Sequence, residues 1–297
     1  MTSSPAVQRW LRRLPAYTLL TLCAAVLLFP IYVTLVYSLQ PLSEFINDPP
    51  PGLWPSDWQW GNYFSGSGAL ADTSQPCHLF NRGGIEVSPL GCYLTNSVVM
   101  ASAITLGQLI TAALAAYAFA FLRFPGRDAL FAVFLATMMV PLEVAIIPNF
   151  QTIQWLGWTD TYPGLVAPFL ATGFGTFLLR QYFLTIPREL RDAAEMDGYG
   201  NFRFLVSIVL PLARGALATL AVFAFLQAWN QYLWPLLVTN DPDMRTVQIG
   251  IAGETADPAR INIAFASTIM AFVPMLALVV VFQRYLVRGL FGGAIKG

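Results

Sequence analysis

Lysine is all but missing from this chain: among 297 residues the only one is Lys296, second from the C-terminus. A phosphate-binding loop of the GxxxxGK[ST] kind needs that ammonium beside the phosphates, so the chain is not expected to hydrolyse ATP by that route. Histidine and cysteine are scarce too, with His78 alone beside three cysteines. Neither HExxH nor a cysteine-rich zinc set can be assembled from them, and no metal site or catalytic residue is expected. Charge of either sign is thin, at 11% of residues against about 25% in soluble domains. The formal net charge is zero, with no basic excess to hold nucleic acid.

What the chain does contain is apolar: 56% of its residues are hydrophobic. A helix crosses a bilayer with about 20 mostly apolar residues. Six stretches meet that length, at 16–37, 97–122, 129–150, 162–183, 212–238 and 261–283. The expected fold is all-α, a single membrane domain over 1–297 with six transmembrane helices. The first stretch follows Arg9, Arg12 and Arg13 as an export signal would, but it is too long and has no clear small-x-small exit, so it reads as an uncleaved span.

An even number of spans puts both termini on one side, and the arginines say which. With the N-terminus cytoplasmic, that side receives twelve basic and five acidic side chains; the outside receives three basic and ten acidic. The orientation is N-in and C-in. The first outer loop, 39–96, is long and has no obvious helix pattern; it carries a Pro-rich run at 48–52, a Gly/Ser run at 65–68 and Trp54, Trp58 and Trp60. The tryptophans suit an interfacial belt or a docking surface for an external partner. Cys77 and Cys92 fall in the same loop, 15 positions apart. On the oxidising side of a bacterial membrane they read as a disulfide worth about 3 kcal/mol, the alternative being two free thiols. Cys23 reads as packing, and nothing around His78 suggests a ligand set.

Between the fourth and fifth stretches lies a charged cytoplasmic segment, 184–203. Pro187 suits the first turn of a helix, Glu189 favours its N-terminus, and Gly198 suits a left-handed stop. Leu190, Ala193 and Ala194 share one face by i, i+3, i+4 spacing. The expectation is a short helix whose small-residue face another protein approaches closely, followed by a second short helix leading into Leu210-Pro211.

Asp192-Ala193-Ala194, then Asp197-Gly198, nine residues, Ile208, Val209, Leu210 and Pro211 resembles the EAA motif of binding-protein-dependent ABC importer permeases. The spacing matches throughout; the departure is Asp192 in place of the usual Glu, which keeps the charge on a shorter arm. Within that family, 124–127 (FPGR), 141–144 (PLEV), 177–183 (FLLRQYF) and 229–236 (WNQYLWPL) are similar to the second permease subunit of sugar and glycerol-3-phosphate importers. The long first outer loop with its cysteine pair is not a family hallmark.

The resemblance implies a type I importer permease fold in a bacterial or archaeal cytoplasmic membrane. It implies a pore made with a homologous permease subunit, and two ATPase subunits that carry ATP and Mg and each receive one EAA loop. An extracytoplasmic binding protein would deliver substrate. It also places the outer loop 239–260, with Gly250, Ile251 and Gly253, against that binding protein, and the tail 288–297 along the ATPases.

Glu143 is the one acid within a span, costly enough there to be a candidate for function, although a hydrogen bond to a neighbouring helix or a place near the outer headgroups explains it as well. Pro141 and Pro148 flank it and should kink or end the helix. Asn230 and Gln231 beside Tyr232 and Trp234 combine amides with aromatic faces, as a sugar path would, or as interfacial anchors and helix-to-helix bonds would. A proton-coupled secondary transporter using Glu143 is the competing function, without repeated halves or further buried acids to favour it. An intramembrane hydrolase lacks a Ser/His or metal arrangement.

Overall fold

The computed structural model describes residues 5–47, 49–65, 68–70, 72, 77–78 and 86–291. Arg82, Lys296, the tail beyond 291, and parts of the Pro-rich and Gly/Ser runs lie outside the described residues. By internal packing the chain divides into two units, one of residues 1–75 and 251–270, the other of 76–250 and 271–297.

Helix α1 (Pro5–Ser38) runs through Pro15 and Pro30. Leu19, Leu20, Leu22, Val26, Leu27 and Leu28 find no cover within the chain, with Leu27 74% exposed, an arrangement suited to lipid or a partner helix rather than water. The first outer loop is less featureless than expected: it holds α2 (Leu42–Asn47), α3 (Gly61–Phe64) and a two-residue antiparallel ladder of β1 (Cys77–His78) and β2 (Glu86–Val87), with Cys77 opposite Val87.

Helix α4 (Pro89–Phe121) begins two turns before the expected span. Ser88 caps it by accepting from the Gly91 N–H, and Pro89 occupies the first turn, where no intrahelical donor is needed. The third stretch is not one helix. α5 (Arg127–Thr137) and α6 (Leu142–Trp155) are separated at 138–141, where Pro141 breaks the ladder. Neither piece is long enough to cross alone.

The fourth stretch bends by 49° between α7 (Tyr162–Val166), which runs into a 3-10 turn at Ala167–Phe169, and α8 (Gly173–Phe183). Then follow α9 (Arg188–Met196), α10 (Asn201–Phe204), a π-helical turn at Leu205–Val209 and α11 (Leu210–Leu212). The last of these meets α12 (Arg214–Trp229) at 82°. Pro211 carries no N–H for the α ladder, and the widened turn just before it is where the register is lost. α13 (Leu233–Val238), α14 (Val247–Thr255) and α15 (Ile261–Phe291) complete the chain.

Among the described residues three helices are long and apolar enough to cross a membrane singly, and five spans result if each bent pair counts as one. That is fewer than the six continuous stretches because Pro141, the 3-10 turn and Pro211 interrupt runs that composition alone reads as unbroken. In the second unit, α4 packs against α8 and α12. Ala112, Ala113 and Ala116 keep the α4 surface low enough for Leu179, Phe183 and Leu220 to close on it.

Candidate functional site

The segment 184–203 is built on the C-terminal end of α4. Helix α9 starts after Pro187, carries Glu189 in its first turn and ends in a paired cap: the Tyr199 N–H donates to the Ala194 carbonyl and the Gly198 N–H to that of Glu195. Gly198 makes this possible with φ +77°, a left-handed conformation in which an added Cβ would meet nothing and the cost lies in the backbone alone.

Ala194 is buried among Tyr117, Phe183, Ile186, Phe204 and Val209. Leu190, Asp192, Ala193, Met196 and Asp197 are exposed, Met196 by 84%. The small-residue face therefore splits: Ala194 lets the helix close on the Phe204 ring, while Leu190 and Ala193 remain outward. Ile208 and Leu210 pack at the edge of the same cluster, while Pro211 is exposed.

One residue not singled out from sequence ties these parts together. Arg191 Nε pairs with Glu195 at 2.8 Å, its Nη1 donates to the Phe121 carbonyl, and Nη2 reaches Asn201 Oδ1 at 3.5 Å. The Tyr117 hydroxyl donates to the same Asn201 oxygen at 3.0 Å. Tyr117 and Asn201 are 84 positions apart, so no spacing rule could have joined them.

The candidate path residues differ in exposure. α12 ends at Asn230, whose Nδ2 donates to the Leu226 carbonyl at 2.8 Å; Asn230 and Tyr232 are exposed at the break before α13. Gln231 Oε1 is buried there without a hydrogen-bond partner. Trp234 turns into the core instead, donating from Nε1 to the Gly164 carbonyl at 3.2 Å with its ring edge-on to Phe169. Glu143 is exposed in the first turn of α6, a place where the helix N-terminus favours a carboxylate.

At the other end of α4, Cys77 and Cys92 form a disulfide with Cα atoms 6.0 Å apart. One turn further on, the buried Asn96 donates from Nδ2 to the carbonyls of Asp243 (2.7 Å) and Arg245 (3.0 Å), and its Oδ1 accepts from the Tyr162 hydroxyl at 2.7 Å. Ser97 Oγ accepts from the Val247 N–H at 2.8 Å. Asp160 Oδ1 accepts from the N–H groups of Asn240 and Asp241. The start of the loop 239–260 is thus fastened to α4. Gly250 and Ile251 lie within α14, and Gly250 serves close approach rather than bending: an ideal Cβ there would fall 2.2 Å from Tyr93 Cδ2.

The first unit has its own polar centre. Arg260 reaches Asp72 at 2.9 Å and Glu254 at 3.8 Å. Burial raises the Glu254 carboxyl above its ordinary pKa, with the Ser267 hydroxyl and Arg260 pulling it down and Asp72 adding to the rise. Gly253, one residue before it, is exposed. Nearby in sequence to Arg260, Asn262 donates to Asn62 Oδ1, and Asn62 in turn to the carbonyls of Ser38 and Gln40.

Apolar helices with uncovered flanks and a charged helix held out on a packed stem are what a membrane-embedded subunit that meets other chains presents. Residues 108–292 match the family described as binding-protein-dependent transport system inner membrane component, and the chain belongs to that family. It is similar to the sn-glycerol-3-phosphate transport system permease protein UgpE of Yersinia enterocolitica, 39% identical over 92% of this chain and 94% of the relative. The protein of the same description from Agrobacterium fabrum is 40% identical over 95% of this chain and 97% of its own length. In fold the chain is similar to a chain of a bacterial ABC transporter involved in the import of the acidic polysaccharide alginate, with TM-score 0.74 at 20% identity, covering 96% of this chain and 99% of that one. A second alginate transporter structure, in complex with an alginate-bound periplasmic protein, gives TM-score 0.63 at 16% identity. The chain is a membrane-embedded permease subunit of an ABC importer, and ATP hydrolysis is carried out by a separate subunit.

Proposed function

We propose that this permease forms half of a pore for a glycerol-3-phosphate-type solute in a bacterial cytoplasmic membrane. What carries the reading is identity of about two residues in five with glycerol-3-phosphate permeases along almost the whole chain. The other half is a homologous permease. Two ATPase subunits, holding ATP and Mg, grip the exposed side of α9 around Asp192, Ala193, Met196 and Asp197. Their closure moves the α9 stem and switches the pore between inward- and outward-facing states, with ATP supplying the differential affinity such a switch requires. A binding protein delivers substrate on the other side, where the loop 239–260 lies.

The charge distribution supports six spans with both termini cytoplasmic, the third span being α5 and α6 together across the Pro141 break. Asn230, Tyr232 and Glu143, uncovered by their own chain, are the side chains left to face the pore or the partner permease.

The test is uptake of labelled sn-glycerol-3-phosphate by vesicles holding the full complex and its binding protein. ATP-dependent uptake is the expected result. Uptake that persists without ATP, or a complex that transports only an uncharged sugar, overturns the corresponding part of the proposal.

A further inference from the structure

A cavity of about 370 Å³ lies between α9 and the turn that joins α4 to α5. One stripe of α9 forms its wall, with Arg188, Arg191, Asp192 and Glu195 at i, i+3, i+4 and i+7; Arg123 and Arg127 stand opposite, beside the backbone at the end of α4. Four guanidiniums therefore meet two carboxylates in a space the size of a small-molecule site.

The arginines are not equally engaged. Arg191 is held by Glu195, Asn201 and the Phe121 carbonyl, and Arg127 Nε pairs with Asp128 at 3.1 Å. Arg123 and Arg188 have no acidic partner among the described residues. The scaffold holding them is firm: Gly126, at φ +76°, turns the chain so that α5 starts at Arg127, and Pro187 starts α9 at Arg188. Two paired guanidiniums and two free ones around a net positive cavity match a compact anion with several acceptor oxygens.

We infer that this cavity binds a phosphate group, that of an anionic lipid headgroup or of a free phosphate. The bound group bridges Arg123 and Arg188 and so braces α9 against the end of α4. The proposed orientation decides only that the cavity opens on the cytoplasmic side, where both sources occur. Binding is read without transport, so failure of the glycerol-3-phosphate assignment leaves it standing.

The test is hydrogen exchange of the 184–200 segment in the assembled transporter, in nanodiscs of phosphatidylcholine titrated with inorganic phosphate and in nanodiscs containing phosphatidylglycerol. Chloride at matched ionic strength is the reference. Slower exchange with phosphate in phosphatidylcholine assigns a free phosphate; slower exchange only with phosphatidylglycerol assigns the lipid. Arg123→Gln with Arg188→Gln should weaken the protecting ligand roughly tenfold to a hundredfold, the loss of charge-assisted hydrogen bonds. Arg123→Gln alone, away from α9, gives a smaller loss in the same direction. Arg203→Gln, whose guanidinium stacks on Tyr199 at 4.2 Å outside the cavity, should leave binding unchanged. No protection from either source, or equal weakening by Arg203→Gln, overturns the assignment.

Discussion

The two ends of α4 are fastened by opposite means. At its N-terminal end a disulfide ties Cys92 to Cys77, while the amide of Asn96 and the Ser97 hydroxyl fix the start of the 239–260 loop through directional hydrogen bonds. At its C-terminal end Tyr117 and Phe121 receive α9 and α10 through apolar packing, with one guanidinium and one amide as the polar links. Buried hydrogen bonds are satisfied in one geometry and costly in any other. Apolar contact tolerates small sliding, and an ion pair at the water's edge re-forms cheaply. The difference matches the roles proposed for the two ends: one holds a loop still on the delivery side, while the other passes on a motion.

Substitutions that remove this contrast should have graded effects. The largest is at Gly198. An L side chain in its left-handed conformation costs about 1–2 kcal/mol, and Gly198→Asp adds a charge beside the surface proposed to meet the ATPase. ATP-driven uptake should fall about tenfold or more, with membrane insertion intact by fractionation; normal uptake would refute the docking role of α9.

Next is the covalent pin. Cys92→Ser should cost about 3 kcal/mol for a loop of this length, seen as faster hydrogen exchange in 86–96, and reduction of the unaltered protein should reproduce it. If the 184–200 segment loosened equally, the two ends would not be independent.

Asn96→Ala should cost about 1–3 kcal/mol, because the Asp243 and Arg245 carbonyls lose their donor. Exchange of 240–247 reports it, and coupling of ATP turnover to the binding protein should fall while basal turnover is kept.

The smallest effect concerns the first unit. Since burial raises the Glu254 pKa, the folded chain holds that proton more tightly than the unfolded chain. The stability from this group is full below the ordinary carboxylate pKa and is lost as pH rises through the raised value. Unfolding midpoints at about pH 4 and about pH 8 should differ less in Glu254→Gln than in the unaltered protein.

Much of the segment 184–203 was legible in sequence. Pro187, Glu189 and Gly198 marked the ends of α9, because capping and left-handed backbone are local requirements. The inward turn of Ala194 was not legible, since which side of a short amphipathic helix packs depends on Phe204 and Tyr117 arriving from other elements. Trp234 shows the same limit: an aromatic beside amides reads as a sugar platform or as an anchor, and only the fold shows Phe169 and the Gly164 carbonyl against its ring and its N–H. The breaks at 138–141 and before α12 were only half visible. Proline shows where a ladder fails but not by what angle the chain leaves it.

The sequence by itself determined the solvent and the family, because composition and motif spacing are properties of the chain read in order. Only the tertiary structure decided which end of α4 is pinned by hydrogen bonds and which is packed by apolar contact, and that four arginines face one cavity. Contacts such as Asn96 with Asp243, or Tyr117 with Asn201, join residues 147 and 84 positions apart, and their strength comes from burial that exists only once the chain has folded.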